Sequence, residues 1–264
     1  MAEKYRVKWS REETILAFDL YCKVPFSKIS KTNPDIIELA NLLGRTPSSV
    51  GLKMANLAHF DKELRARNVS GMSNASKLDG EIFREFESDW DGLSYQAQEI
   101  KARLKNTAVE NILCKDVTFE IEKLPPGEFR DQVMKSRVGQ YFFRTAVLSA
   151  YRNRCCVTGI VLPELLVASH IKPWKNSDAK TERTNPSNGL CLNALHDKAF
   201  DRGLITIDKE YKIVNSAKIS SAEMDYDTRA WFMSYEGRQI ILPDRFYPNR
   251  SFIEYHNDVI FQGT

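Results

Sequence analysis

The sequence of 264 residues predicts an α+β protein, with a helical N-terminal part and a C-terminal part that mixes short strands with helices. Three observations indicate this division. Apolar residues recur at helical spacing between recognisable caps within residues 10–57. The strongest break in the chain is Leu124-Pro125-Pro126-Gly127. Short apolar segments bounded by turn residues follow that break, as expected for strands.

The first helix is predicted from its N-terminal cap. Ser10 precedes a helical pattern, and Glu13, three residues later, completes a capping box. The segment ILAFDLYCKV then places its apolar side chains broadly on one helical face. Pro25 closes this helix or follows closely after it.

Two further helices are separated by a glycine turn. Residues 36–43 predict one helix, with Gly44 as its C-cap. Thr46 caps the next helix, and Pro47 occupies its first position, where a missing N–H costs nothing. This order is typical of a helix-turn-helix, in which the start of the second helix faces the major groove of DNA. The candidate DNA-binding residues are Arg45, Ser48, Ser49, Lys53 and Asn56. The alternative is a helical domain with a solvated polar face.

The rest of the N-terminal half predicts a domain end and a linker. A helix is expected around residues 78–86, followed by a polar region. Residues 97–111 are rich in Gln, Glu, Lys, Arg and Leu, which favours a connecting helix. We therefore expect a helical DNA-reading domain at 1–92, a helical linker at 93–125 and a second domain at 126–264.

The second domain predicts alternating helices and hairpins. Residues 140–151 favour a helix. Two short apolar segments then predict a β-hairpin, and a second hairpin follows a short helix. The remaining expected elements are a strand and a final helix. In order, these segments are 155–157 and 165–168 for the first hairpin, 190–200 for the helix, 203–208 and 211–214 for the second hairpin, 239–242 and 252–261.

Composition narrows the class of protein. A hydrophobic fraction of 42% and a charged fraction of 28% are typical of a soluble, foldable chain. Lys and Arg number 38 against 35 Asp and Glu, so any nucleic-acid surface must come from local clustering. No apolar run approaches bilayer-spanning length, and the polar start is unlike a secretory signal, so we expect no membrane association. Five scattered cysteines favour reduced thiols in the cytoplasm over a disulfide framework.

Two of the four histidines fall in the stretch with a strand, a loop and a helix. His170 ends a strand, Asn188 lies in the loop and His196 lies on the helix. Neutral imidazole is well matched to removing a proton from water near pH 7. It also binds divalent cations, which stabilise negative charge on a phosphate. An amide can hold the backbone beside such a base. A lone histidine at a strand end is more often structural, so this pattern alone does not define a site.

Co-linear motifs give the pattern its specificity. Three segments resemble the restriction-type branch of the HNH endonuclease family. They are ASHIKPW from Ala168, NGLCL from Asn188 and LHDKAFDRG from Leu195. The segment YRNRCCVTG from Tyr151 is similar to the start of that domain, and Arg137-Val138-Gly139-Gln140 also matches. The resemblance covers roughly the C-terminal half and implies a ββα-metal nuclease domain.

By position, the resemblance implies that His170 is the general base, Asn188 the middle residue of the motif and His196 a metal ligand. Many relatives have an Asp or His before the base as the second ligand, whereas this chain has Ser169. Asp201 or Asp197 would then assist His196, with Mg²⁺ or Mn²⁺ as the expected ion. Cys155 and Cys156 lack the spacing of zinc ligands, so no structural zinc is expected. Lys172, Lys198 and Arg202 fit either phosphate contacts or solvated surface charge.

The N-terminal part is similar to a winged-helix-like DNA-reading region that lies upstream of such nucleases. The motifs that carry this resemblance are Trp9-Ser10-Arg11-Glu12-Glu13, LGRTPSSV from Leu43 and GMSNASKLD from Gly71. This implies a restriction enzyme on double-stranded DNA, and the fusion motivates the hypothesis that it recognises 5-methyl- or 5-hydroxymethylcytosine. Because each chain has one site, we expect a homodimer that cuts both strands. Three alternatives stay open: a sequence-specific enzyme for unmodified DNA, a nicking enzyme, and a DNA-binding regulator with a degenerate nuclease domain, which Ser169 favours.

Overall fold

A computed structural model describes residues 7–66, 75–112 and 127–263. The chain divides into two compact units. The first comprises Met1–Ala146 and Asp178–Asn185, and the second comprises Val147–Ser177 and Pro186–Thr264. These limits differ from the predicted limits at residues 92 and 125. The division into a DNA-reading domain, a linker and a nuclease domain stays a prediction. Leu124 to Pro126, Cys114 and Gly71 to Asn74, which entered the sequence argument, lie outside the described residues.

The regular elements in the described part of the first unit are all helical, and its segment Asp178–Asn185 forms turns. Its helices are α1 Arg11–Lys23, α2 Pro34–Leu43, α3 Pro47–Ala58, α4 Lys62–Ala66, α5 Lys77–Glu87, α6 Trp90–Leu104 and the greater part of α7 Glu128–Ala150. Short 3-10 turns lie at Phe26–Lys28 and Val109–Ile112. Apolar side chains of α1, including Ile15, Leu16 and Phe18, are almost fully buried in its core.

The caps of these helices agree with the sequence. Ser10 accepts from the backbone N–H of Glu13, whose carboxylate accepts from the backbone N–H of Ser10, so the predicted capping box is confirmed. Gly44 ends α2 with a φ of 65°, in the left-handed region that favours glycine. Thr46 caps α3 with its hydroxyl on the backbone N–H of Ser49.

The predicted connecting helix begins earlier along the chain than expected. The connecting helix was predicted at 97–111, whereas α6 spans Trp90–Leu104, begins within the polar region at 87–92 and has Asp89 as its N-cap. The indole of Trp90 is buried and packs near the rings of Phe18 and Phe142. An aromatic anchor therefore outweighs the local polarity, as tertiary packing often does.

The second unit contains two antiparallel pairs among its described strands. β1 Leu166–His170 pairs with β2 Gly189–Asn193, in a register that places His170 opposite Gly189. Helix α8 Ala194–Asp201 follows β2 directly, with Asn193 as its N-cap. This is a ββα arrangement, in which a strand pair is followed at once by a helix.

The partner of β1 corrects the sequence prediction. Residues 155–157 were expected to pair with it, but they lie in a loop and turn. The buried Cys155 thiol instead accepts hydrogen bonds from the backbone N–H groups of Thr158 and Asn193. Likewise, 190–193 were predicted as helix and form the fully buried strand β2. A short apolar run does not distinguish a buried strand from a helix.

The remainder of the unit agrees better with the prediction. β3 Ile205–Ile207 and β4 Ile213–Asn215 form the second hairpin. The strand expected at 239–242 is reduced to a single bridge between Lys212 and Gln239. Helix α11 Arg250–Tyr255 and the π-helical turn His256–Ile260 confirm the final helix. Two helices, α9 Ala217–Ser221 and α10 Tyr226–Met233, were not predicted.

Among the described residues, no helix combines the length and the apolar character that crossing a membrane would require. Cys22, Cys155, Cys156 and Cys191 are all buried free thiols. Burial raises the pKa of the Cys156 thiol, and the neighbouring Cys155 and Cys191 raise it further.

Candidate active site

His170 occupies the last position of β1, opposite the start of β2. Its imidazole is partly exposed and meets the indole of Trp174 edge to face, with 5.6 Å between the ring centroids and 87° between the planes. The ring is therefore accessible from solvent and held from one side. Both properties suit a base that must take a proton from water.

Asn188 fixes the backbone that follows His170. Its Oδ1 accepts from the backbone N–H of Lys172 at 2.8 Å, and its Nδ2 donates to the Lys172 carbonyl at 3.1 Å. Its own backbone carbonyl accepts from the N–H of Ile171 at 2.9 Å. The side chain is fully buried. Asn188 thus holds both residues directly after the histidine, Ile171 through its backbone and Lys172 through its side chain.

His196 lies on α8 with its ring turned into the second unit. Its Nε2 is 2.9 Å from the carbonyl oxygen of Trp231, and its Nδ1 is 3.1 Å from Oδ1 of Asn193. The ring is 1% exposed and lies beside the aromatic rings of Phe232 and Tyr235. Burial lowers the pKa of His196, and the bond to the Trp231 carbonyl opposes that shift. In this arrangement both ring nitrogens face protein oxygens.

Asp201, the other predicted metal ligand, is exposed at the end of α8. Partial desolvation raises the pKa of its carboxyl group, and the nearby carboxylate of Asp197 raises it further. Lys198 and Arg202 act in the opposite direction. Two carboxylates that repel one another gain from a shared cation, and carboxylate oxygens suit Mg²⁺ and Mn²⁺.

The donor set fits a divalent cation only in part. Within the described ranges, no group of three or more His, Cys, Asp or Glu side chains is arranged to hold a metal ion. Asp201 offers suitable oxygens, whereas His196 would have to leave the Trp231 carbonyl or Asn193 before binding an ion. The Ser169 hydroxyl is buried and has no hydrogen-bond partner among the described residues. It alternates with His170 along β1, so the two side chains point to opposite faces.

The candidate DNA-binding residues of α3 do not share one free polar face. Arg45 is 6% exposed and binds the Glu13 carboxylate at 2.7 Å, and Lys53 is 5% exposed and binds Asp79 at 2.5 Å. Both cations also lie over the ring of Trp9. The expectation that they face solvent is therefore corrected: they hold the helices together. Ser48 is exposed, while Ser49 and Asn56 are half-buried, and a DNA-binding role for the five stays a prediction.

Three residues at the site were not among the predicted site residues. Ser177 hydrogen-bonds the Asn188 amide, Trp174 contacts the His170 ring and Trp231 supplies the carbonyl for His196. Trp174 belongs to the quoted ASHIKPW motif, which was the available signal for it. Ser177 and Trp231 lie in segments with no such motif.

A strand pair followed by a helix, with a histidine at the end of the first strand and an asparagine holding the next residues, is the arrangement that the resemblance to HNH endonucleases implies. The family model described as HNH endonuclease matches residues 155–208. Residues 155–208 therefore contain an HNH endonuclease domain. HNH nucleases typically use divalent metal ions.

One solved structure, described as a modification dependent TagI restriction endonuclease, matches at 23% sequence identity with a TM-score of 0.32. The matched part covers 44% of this chain and 36% of that chain. No curated protein is similar enough to count as a match.

Proposed function

We propose that the protein is a restriction-type DNA endonuclease in which His170 is the general base. The observation that carries this proposal is the Asn188 amide, which binds both backbone groups of Lys172, two residues after His170, inside the matched HNH segment. These two hydrogen bonds hold the backbone two residues after His170 and would thereby help to position its imidazole.

In the proposed reaction, a ring nitrogen of His170 takes the proton of a water molecule that attacks the scissile phosphate. Partial exposure lets water and the DNA backbone reach the ring, and the Trp174 contact limits its rotation. A bound divalent cation would supply Lewis-acid stabilisation of the charge that develops on the phosphate and the leaving oxygen.

The proposed protein ligands of this cation are Asp201 and His196, and the proposed ion is Mg²⁺ or Mn²⁺. Asp201 is supported by its exposure and by the repulsion from Asp197 that a cation would relieve. His196 is supported by its place in the motif, and it would bind only after its ring leaves the present hydrogen bonds.

Several finer features belong to the same proposal. Chemistry directed at phosphates carries no sequence information, so a restriction enzyme needs a separate part that reads DNA. Helices α2 and α3 with the turn at Gly44 would form part of that DNA-reading domain. Recognition of 5-methyl- or 5-hydroxymethylcytosine is proposed for that reader. One site per chain also favours a homodimer for double-strand cleavage, and the free thiols favour the cytoplasm.

The deciding experiment is cleavage of supercoiled plasmid with Mg²⁺ or Mn²⁺ by the wild type and by His170→Ala. His59→Ala, a half-exposed histidine of the first unit, is the matched control. We expect metal-dependent cutting that is lost in His170→Ala and kept in the control. Equal cutting by wild type and His170→Ala would refute the proposed base.

Two further outcomes separate the alternatives. Tight DNA binding without cutting by the wild type would favour the regulator with a degenerate nuclease domain. For the substrate, matched plasmids with cytosine, 5-methylcytosine or 5-hydroxymethylcytosine are compared. Equal cutting of all three would remove the proposed modification dependence, and a product that stops at the nicked circle would favour a nicking enzyme.

A further inference from the structure

Ser177 ends the short turn that follows His170. The 3-10 helix Trp174–Asn176 begins after Pro173, and the backbone N–H of Ser177 donates to the Trp174 carbonyl at 3.3 Å. The Ser177 side chain is buried, with 4% of the residue exposed. A buried hydroxyl must find partners, so its hydrogen bonds show what it stabilises.

The hydroxyl joins the Asn188 network. Ser177 Oγ lies 3.0 Å from the Lys172 carbonyl and 3.1 Å from the Pro173 carbonyl, and it can donate to either. It accepts from Asn188 Nδ2 at 3.3 Å. The Asn188 amide has two hydrogens, one for the Lys172 carbonyl and one for Ser177. Ser177 is therefore one of the partners that hold the amide in its orientation.

The same turn carries the residue that contacts the base. Trp174 is the first residue of the turn that Ser177 ends, and its ring meets the His170 ring edge to face. Without the hydroxyl, the Asn188 amide loses an acceptor and the carbonyls at 172 and 173 lose a donor. Both supports of His170, the backbone at Lys172 and the indole of Trp174, then become looser.

We infer that Ser177 is a positioning residue for the nuclease reaction, acting on His170 through Asn188 and the Trp174 turn. This inference rests on the proposed function, because it takes His170 as the base. Ser177 does not touch the water or the phosphate in this role. A displacement of a reacting group by about 1 Å can cost about 100-fold in rate. Removing the hydroxyl is therefore expected to lower kcat by about 10-fold to 100-fold and to leave KM nearly unchanged.

The test compares Ser177→Ala with Ser177→Thr, which keeps the hydroxyl, and with Ser220→Ala as the matched control at an exposed serine of the same unit. Plasmid cleavage is measured below the melting temperature of every variant. We expect kcat to fall in Ser177→Ala, to recover in Ser177→Thr and to stay unchanged in Ser220→Ala. If Ser177→Ala does not fold, Ser177→Cys keeps a similar volume and weakens the hydrogen bonds.

Two readouts separate positioning from a merely structural role. The first is the pH profile of kcat together with an NMR titration of the His170 ring, which should shift in Ser177→Ala. The second is the double variant Ser177→Ala with Asn188→Ala. It should cut no more slowly than Asn188→Ala alone, because residues of one network are not additive.

Three results would overturn the inference. They are a kcat of Ser177→Ala equal to wild type, a loss explained entirely by the unfolded fraction with an unchanged His170 titration, and fully multiplicative effects in the double variant. In each case loss of cutting in His170→Ala still supports the proposed function. Conversely, wild-type cutting by His170→Ala would refute the proposed base itself.

Discussion

Acid should weaken the second unit through His256. This residue is 1% exposed, its Nε2 lies 3.1 Å from the Phe200 carbonyl at the end of α8, and its ring stacks on Phe200 with 3.8 Å between centroids. Its Nδ1 lies 2.8 Å from the Thr206 hydroxyl oxygen. Burial lowers the pKa of His256 to about 4, against a partial opposing effect of the hydrogen bond to Phe200. The neutral ring therefore connects α8, through Phe200, to β3, through Thr206.

The direction and size of the effect follow from this pKa. Since the folded value lies below the ordinary 6.5, the unfolded chain takes up the proton first as the pH falls. The stability is therefore complete above pH 6.5 and decreases between pH 6.5 and about 4. Each pKa unit corresponds to about 1.4 kcal/mol, so the full loss is about 3 kcal/mol, of which about 2 kcal/mol appears by pH 5.

The assay is urea unfolding at pH 7.5 and pH 5.0, with hydrogen exchange of the α8 amides as a local measure. His256→Gln, which does not titrate, is compared with the wild type. Other groups, including His196, titrate in both proteins, so the difference between the two pH dependences isolates His256. We expect the wild type to lose about 2 kcal/mol more than the variant. Equal pH dependence of the two proteins would refute the reasoning.

Three more predictions concern packing, charge and metal. In Gly203→Ala, the new Cβ at a φ of 65° would collide with the backbone carbonyl of Ile260. The midpoint of urea unfolding should therefore fall well below that of Gly237→Ala, where φ is also positive but the space around the Cβ is open; equal midpoints would contradict this. Asp79→Ala leaves the Lys53 ammonium buried without its partner and should cost about 3–5 kcal/mol, whereas Glu81→Ala, which removes an exposed ion pair, should cost at most about 1 kcal/mol; similar losses would contradict the distinction. Asp201→Asn should raise the Mn²⁺ concentration for half-maximal plasmid cleavage about tenfold, whereas the control Asp258→Asn, at another exposed aspartate, should leave it unchanged. If Asp201→Asn needs no more Mn²⁺ than the wild type, Asp201 is excluded as a ligand.

The sequence by itself determined the helix caps and the order of the site motifs. The capping box at Ser10 and Glu13 and the turn at Gly44 need only residues a few positions apart, so their hydrogen bonds are local. The resemblance of the motifs around His170, Asn188 and His196 to the HNH family likewise indicated an HNH domain before any contact was known, and the match at residues 155–208 agrees with it.

The strand partner was decided by tertiary structure. Residues 155–157 and 189–193 are both short apolar runs, and sequence proximity favoured the first as the partner of β1. The second pairs because it can be buried along its whole length while Asn193 caps the helix that follows. Pairing depends on which segment fills the space beside β1, and periodicity over five residues does not carry that information.

Tertiary structure also decided which polar side chains are free. Arg45 and Lys53 read as a polar helix face in the sequence, but the carboxylates of Glu13 and Asp79 and the ring of Trp9 bury them. These partners lie 26 or more positions away along the chain. In the same way, the Trp231 carbonyl, 35 residues from His196, fixes the direction of its ring. The motif gives the residue type needed for the chemistry, whereas long-range contacts set the direction of each side chain.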